Sequence, residues 1–246
     1  MLSFLPIEYI FFIDVVTAAI GISIVLIFVT VSGVPRTVEV KHGVKAYFHE
    51  LREGLRYINS KAWLKLIIIY SAFFNFFASP SALLTPLQAA RTFGDDVWRL
   101  TVIEIAFSAG AVIGGILISV WGGFKNKAHT IVMACALFGL TGFLLGVVPD
   151  FWVYLGVMLT CGVTIPLFST PSMTLLQSKI EPEKMGRVFS VMMMFSGLAM
   201  PLGMVVFGPL GDVVRIEWLL IVCGMVIFIG GLALLRARSL IEIGKQ

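Results

Sequence analysis

Seven apolar stretches, each long enough to cross a lipid bilayer, dominate this 246-residue sequence. They lie near 7–32, 64–90, 99–121, 128–148, 151–176, 187–210 and 217–235. A spanning helix needs about 20 mostly apolar residues, because the hydrocarbon core satisfies no backbone polar group and the helix satisfies its own. A run such as LLIVCGMVIFIGGLALL at 219–235 fits no exposed strand or surface helix. Composition agrees: 59% of residues are hydrophobic and 13% charged, against about 45–50% and roughly 25% in soluble domains. The expected fold class is therefore all-α, a polytopic membrane protein with seven transmembrane helices.

Charge placement orients the helices. Of the 18 Lys and Arg residues, only Arg91, Arg99 and Arg215 fall in one set of loops. The rest occupy the alternate loops and the C-terminal tail, seven of them between residues 33 and 65. The positive-inside rule places the basic side in the cytoplasm. The N-terminus is then outside and the C-terminus cytoplasmic, in a multi-pass protein of the cell membrane. The N-terminal MLSFLPIEYIFF lacks the basic region and cleavage site of a signal peptide. Basic residues confined to loops mark a membrane protein and not a nucleic-acid binder.

The segment 42–61, HGVKAYFHELREGLRYINSK, is too polar and too short to span. Val44, Phe48, Leu51, Leu55 and Ile58 share one helical face, with Lys45, His49, Arg52 and Arg56 on the next. This predicts an amphipathic helix at the cytoplasmic surface, either a connector packed under the bundle or a regulatory element. The domain boundaries expected are 1–33 for a single transmembrane helix, 34–63 for the linker, and 64–246 for a six-helix domain.

Within the spans, small residues mark helix contacts, as close packing in lipid requires. Gly110 and Gly114 form a G-x-x-x-G pair; Gly115, Gly139, Gly142, Gly197, Gly203, Gly208 and Gly211 are further candidates. The second and fifth spans share a pattern, FFNFFASPSALLTPLQ and VTIPLFSTPSMTLLQ, and lie three helices apart, so they run in opposite directions. Pro removes a backbone donor, and the freed carbonyls must face protein or a watery cavity. Pro-interrupted helices in inverted repeats commonly line transport sites. The candidate cavity residues are Asn75, Ser79, Ser81, Thr85 and Gln88 in one span, and Thr164, Ser169, Thr170, Ser172 and Gln177 in the other. The alternative is that their hydroxyls satisfy the kinks internally.

Two carboxylates lie inside spans, Glu104 and Asp14. A charge there is costly and marks function by default. Both are candidates for proton coupling, Glu104 the stronger, with a structural bond to Arg99 or Arg91 as its alternative. Cys135, Cys161 and Cys223 stand alone in apolar runs, without metal-ligand spacing. The sequence has no nucleotide-binding P-loop and no nucleophile–base set. It is read as a non-enzyme without cofactor or metal site.

The segments VIEIAFSAGAVIGGILISVWGGFKNKAHT, FSTPSMTLLQSKIEPEKMGRVFSVMMM and MPLGMVVFGPLGD resemble the C-terminal portion of permeases of the major facilitator superfamily, in the macrolide-efflux-like bacterial branch. In that family twelve helices form two six-helix halves joined by a long cytoplasmic loop. The resemblance implies that the first span is the family's sixth helix and the last six spans its C-terminal half. It implies a secondary transporter, a proton-coupled exporter of small amphipathic molecules or drugs. Lys125, Lys127 and Arg187 would stand at its cytoplasmic gate, although Ser119 occupies a position where the family's gating loop has an acid. The implied partners are the bilayer, a small-molecule substrate, protons, and either a missing N-terminal half or another chain. The competing reading is a non-transporting membrane scaffold or partner subunit.

Overall fold

The computed structural model describes residues 7–28, 44–94 and 96–244. The side chains of Asp14, Val44, Lys45, Phe48 and Arg238 lie outside the described set, as do residues Arg36, Lys41, His42 and Lys245. Two units are distinguished, 1–43 and 44–246. The first contains α1 (Ile7–Phe28), whose 22 residues rise about 33 Å, enough to cross a bilayer.

The second unit contains α2 (Val44–Ser60), α3 (Ala62–Leu83), α4 (Thr85–Phe93), α5 (Val97–Trp121), α6 (Lys127–Val147), α7 (Phe151–Lys179), α8 (Pro182–Val213), α9 (Ile216–Ala233) and α10 (Arg238–Ile243). A 3₁₀ turn, Leu234–Arg236, joins the last two. Among the described residues six helical segments are long and apolar enough to span: α3 with α4, then α5, α6, α7, α8, and α9 with its turn. The protein is a multi-pass, all-helical membrane protein.

The span expected at 64–90 is divided. Pro80 lies near the end of α3, Leu84 interrupts the helix, and Pro86 sits in the first turn of α4. A proline at a first turn forfeits no hydrogen bond, so the break costs little. By contrast α7 runs unbroken through Pro166 and Pro171.

The spans form an arc in the order α8, α3, α9, α6, α7, α5. Three glycine seams set it. Gly110 and Gly114 of α5 lie against the backbone of α7 at Leu159 and Val163, and Gly162 of α7 answers against Phe107. Gly139 of α6 faces Phe228 of α9, and Gly224 of α9 faces Phe143. Gly203 of α8 meets Ser79 and the Phe76 carbonyl of α3. Close backbone approach of this kind is what small residues supply in lipid, where apolar burial offers little drive. The glycine expectation is corrected at Gly115, Gly197 and Gly208, where an added Cβ would meet nothing within 4 Å. An added methyl at those positions would enter open space, Gly197 lining a groove beside α3. The arc's two ends are also its least buried members: 22% of the central stretch of α5 and 17% of that of α8 is buried, against 56% for α6.

At the end of the arc where α3 begins and α7 ends, α2 lies on α8 and α3. Its Leu51, Leu55, Tyr57 and Ile58 join the main core, and Gly54 sits against Arg187 and Val191. That contact takes up the described part of the apolar face, and His49, Arg52 and Arg56 remain exposed. From the same end, α10 folds back under the bundle. Leu240 is buried, and Asn126 Nδ2 donates to the Ile241 carbonyl (2.9 Å) while the Lys127 N–H donates to that of Gly244 (3.2 Å).

Candidate functional site: a cavity inside the arc

Five of the six spans contribute to an apolar cavity of ≈ 190 Å³. Phe74, Asn75 and Ser81 come from α3, Phe107 from α5, Phe138 from α6, Cys161 and Met158 from α7, and Met200 from α8. A wider groove of ≈ 610 Å³ runs along α3 and α8 past Met193, Ser196, Gly197 and Met204. Asn75 and Met200 line both, so the groove and the cavity meet at those two side chains. Ring packing fixes the floor: Phe74 stacks on Phe168 with centroids 4.9 Å apart and leans on Phe138 at 4.7 Å.

The candidate polar residues divide into three groups. Asn75 and Ser81 line the cavity. Asn75 donates through Nδ2 to the Ser71 carbonyl at 2.8 Å.

A second group is spent on local structure. Ser79 donates to the Phe76 carbonyl (2.8 Å), Thr164 to Cys161 (2.6 Å) and Ser172 to Phe168 (2.7 Å), and Thr85 donates to the Ser81 carbonyl. All four are buried. Hydroxyls commonly satisfy themselves this way inside helices. Gln88 is also buried, but it reaches across elements. Its Nε2 donates to the Leu145 carbonyl of α6 at 2.8 Å, and its Oε1 accepts from the Tyr154 hydroxyl of α7 at 2.9 Å. Gln88 therefore clamps α4 to its neighbours and does not line the cavity. Arg91 ties the same short helix to α8, donating to the Gly211 carbonyl at 3.0 Å and facing Asp212 at 3.9 Å. Phe93 packs edge-on to Phe151 and Tyr154. Thus α4 braces one end of the arc from α8 to α7.

The third group, Ser169, Thr170 and Gln177, is exposed on the half of α7 nearer α2 and α10. Glu104 is exposed too. It stands on α5 beside the α7 seam, on the same exposed side as Ser108, Gly115 and Ser119 and apart from the aliphatic stripe of Ile105, Val112 and Ile116. Neither arginine considered as a partner reaches it. Arg91 is engaged as described, and Arg99 faces Asp96 at 3.3 Å with its guanidinium over the Trp98 and Phe151 rings. Asp14 falls within α1, its side chain outside the described set.

Of the basic residues, Lys125 is exposed and Lys127 donates through Nζ to the Gly122 carbonyl at 2.8 Å. Gly122 and Gly123, at φ 72° and 78°, make the left-handed turn that brings that carbonyl round. Arg187 is paired with Glu53 of α2 at 2.5 Å. The cavity's aromatic and thioether lining was not legible in advance. Phe107, Phe138, Met158 and Met200 look in sequence like any lipid-facing residues.

The major facilitator superfamily model matches residues 1–204. The chain belongs to that superfamily. Its curated relatives include macrolide efflux protein A of Streptococcus pyogenes, 26% identical over 178 residues, covering 71% of this chain and 44% of the relative. The protein of the same name from Enterococcus faecalis is 27% identical over 160 residues, with 64% and 50% covered. An uncharacterised transporter of the superfamily from Bacillus subtilis is 23% identical over 204 residues, with 81% and 47% covered. The chain thus spans about half the length of the curated relatives it matches. No solved structure matches it.

Proposed function

We propose that the chain is part of a secondary transporter that exports small amphipathic molecules in exchange for protons. The observation that carries this is the apolar cavity lined by five spans, including the two end helices α5 and α8, which are the least buried of the six. In the reading we favour, residues 1–33 and 34–63 are a preceding helix and a cytoplasmic linker, and 64–246 form a half-domain. A second half, from the same gene product or another chain, covers α5 and α8. The basic end of the bundle faces the cytoplasm, where Lys125, Lys127 and Arg187 stand near the gate. The names of the two macrolide efflux relatives support export of a macrolide or a similar amphipathic compound. Glu104, exposed on α5 and without an ion-pair partner among the described residues, is the proton-coupling residue of this proposal, with Asp14 second. A membrane carboxylate kept without a cation beside it is the kind that exchanges protons. The chain moves its substrate and does not transform it.

The test is efflux of a labelled macrolide from everted vesicles containing the complete transporter. Glu104→Gln should remove the dependence on the pH gradient while the protein remains folded. Efflux that still follows the gradient refutes the coupling role. Absence of macrolide movement by the unsubstituted transporter refutes the substrate class.

A further inference from the structure

The cavity and the groove are lined without a single Asp, Glu, Lys, Arg or His. A charge brought there from water would lose its hydration with no counter-charge from these spans to replace it. Four methionines, Met158, Met193, Met200 and Met204, line the two spaces. Their unbranched thioethers adapt to irregular apolar shapes. Polar side chains are scarce, and Asn75 is the one polar residue among those lining both spaces.

The orientation of its amide is determined by chemistry. The partner at 2.8 Å is the Ser71 carbonyl, which can only accept, so the donating atom is Nδ2. One N–H of Asn75 and both lone pairs of Oδ1 are then left over. A hydroxyl matches what remains, because it donates to Oδ1 and accepts from the spare N–H. A carboxylate could accept from the spare N–H but would leave Oδ1 without a donor and its own charge without a counter-charge from this lining, and an ammonium would face one neutral acceptor in an apolar cleft.

We infer that Asn75 is a specificity-determining residue, selecting an uncharged, ring-bearing apolar ligand that presents a hydroxyl at the junction of cavity and groove. This rests on the reading of the cavity as a ligand site. The enclosed part has room for one or two rings: an apolar cavity of about 150 Å³ takes up benzene. The remainder of a larger molecule extends along the groove between α3 and α8.

The test uses the full chain in lipid nanodiscs with Ala82→Cys, an exposed cavity-lining position, as reporter. Alkylation of that cysteine by a maleimide is followed by mass spectrometry. Four probes compete: naphthalene, naphthalenemethanol, naphthoate and naphthalenemethylammonium. Site-resolved protection excludes simple partitioning into lipid. Naphthalenemethanol should protect at about fivefold lower concentration than naphthalene, the range of one net hydrogen bond, and both charged probes should protect worst. Asn75→Leu should erase the hydroxyl advantage while naphthalene still protects, which also shows that the cavity has folded. Asn75→Asp should turn the preference toward the ammonium probe. A hydroxyl advantage that survives Asn75→Leu, or is absent from the start while naphthalene protects, overturns the inference and leaves the cavity standing. Protection by none of the four overturns the ligand-site reading itself.

Discussion

Two adjacent glycines of α5 should respond oppositely to the same substitution. A Cβ added at Gly114 would lie 2.8 Å from the Val163 Cα and 3.0 Å from its carbonyl carbon. Ordinary carbon contacts sit at about 3.5–4.0 Å, so α5 and α7 would have to separate by roughly 1 Å. The obstacle is backbone, which cannot rotate away as a side chain can. Overpacking of this kind costs about 1–3 kcal/mol. At Gly115 nothing lies within 4 Å. There an added methyl meets open space, and alanine is the better helix former by about 1 kcal/mol. The propensity gain is common to both sites, so Gly114→Ala and Gly115→Ala should differ by the overpacking alone, about 1–3 kcal/mol, or roughly fivefold or more in the folding constant. Equilibrium unfolding in mixed micelles, followed by tryptophan fluorescence, measures the contrast. Equal midpoints for the two variants would refute the assignment of the α5–α7 seam.

Two further substitutions probe the ends of the bundle. Gln88→Leu removes both cross-helix bonds and strands the Tyr154 hydroxyl, at a cost of about 1–3 kcal/mol, whereas Tyr154→Phe should cost about 1 kcal/mol. Hydrogen exchange should quicken in α4 first, and unchanged protection there would contradict the clamp. At the opposite end, Glu53→Arg or Arg187→Glu should loosen α2 and expose it to protease, and the double exchange should restore protection. The pair is partly exposed, so the effect is small, about 0.2–1 kcal/mol. Failure of the exchange to restore protection would mean that α2 is held by Leu51, Leu55 and Ile58 alone.

The spans were legible because each is a long apolar run, and length in lipid leaves few alternatives to a helix. Their ends were mostly within a few residues, as with 128–148 against Lys127–Val147. The interruption at Leu84 was not placed, because the kink could be expected from Pro80 and Pro86 while its position depends on Gln88 and Arg91 finding partners on other helices. For the same reason Gln88 looked like a cavity residue: a polar side chain in a span needs a partner, and sequence does not say whether that partner is a ligand or Tyr154. The hydroxyls of Ser79, Thr164 and Ser172 were ambiguous until their bonds to preceding carbonyls were located. The glycines split likewise. Gly110 and Gly114 meet α7, while Gly115 is turned about 100° from Gly114 on the helix and meets nothing.

The seam between α3 and α8 has a consequence for biosynthesis. Ser79 and Gly203 touch in the finished bundle, yet α8 follows α3 by roughly 120 residues, on the order of ten seconds at a ribosomal pace of about 5–20 residues per second. Throughout that interval α3 has to reside in the membrane without the neighbour that will cover Ser79. The hydroxyl tolerates the wait because it is bonded to the Phe76 carbonyl of its own helix. A side chain dependent on α8 for its partner would leave a bare polar group in lipid for those seconds, exposed to mispairing or to quality-control proteases. Self-satisfaction at Ser79 is thus as much a property of the nascent chain as of the folded one.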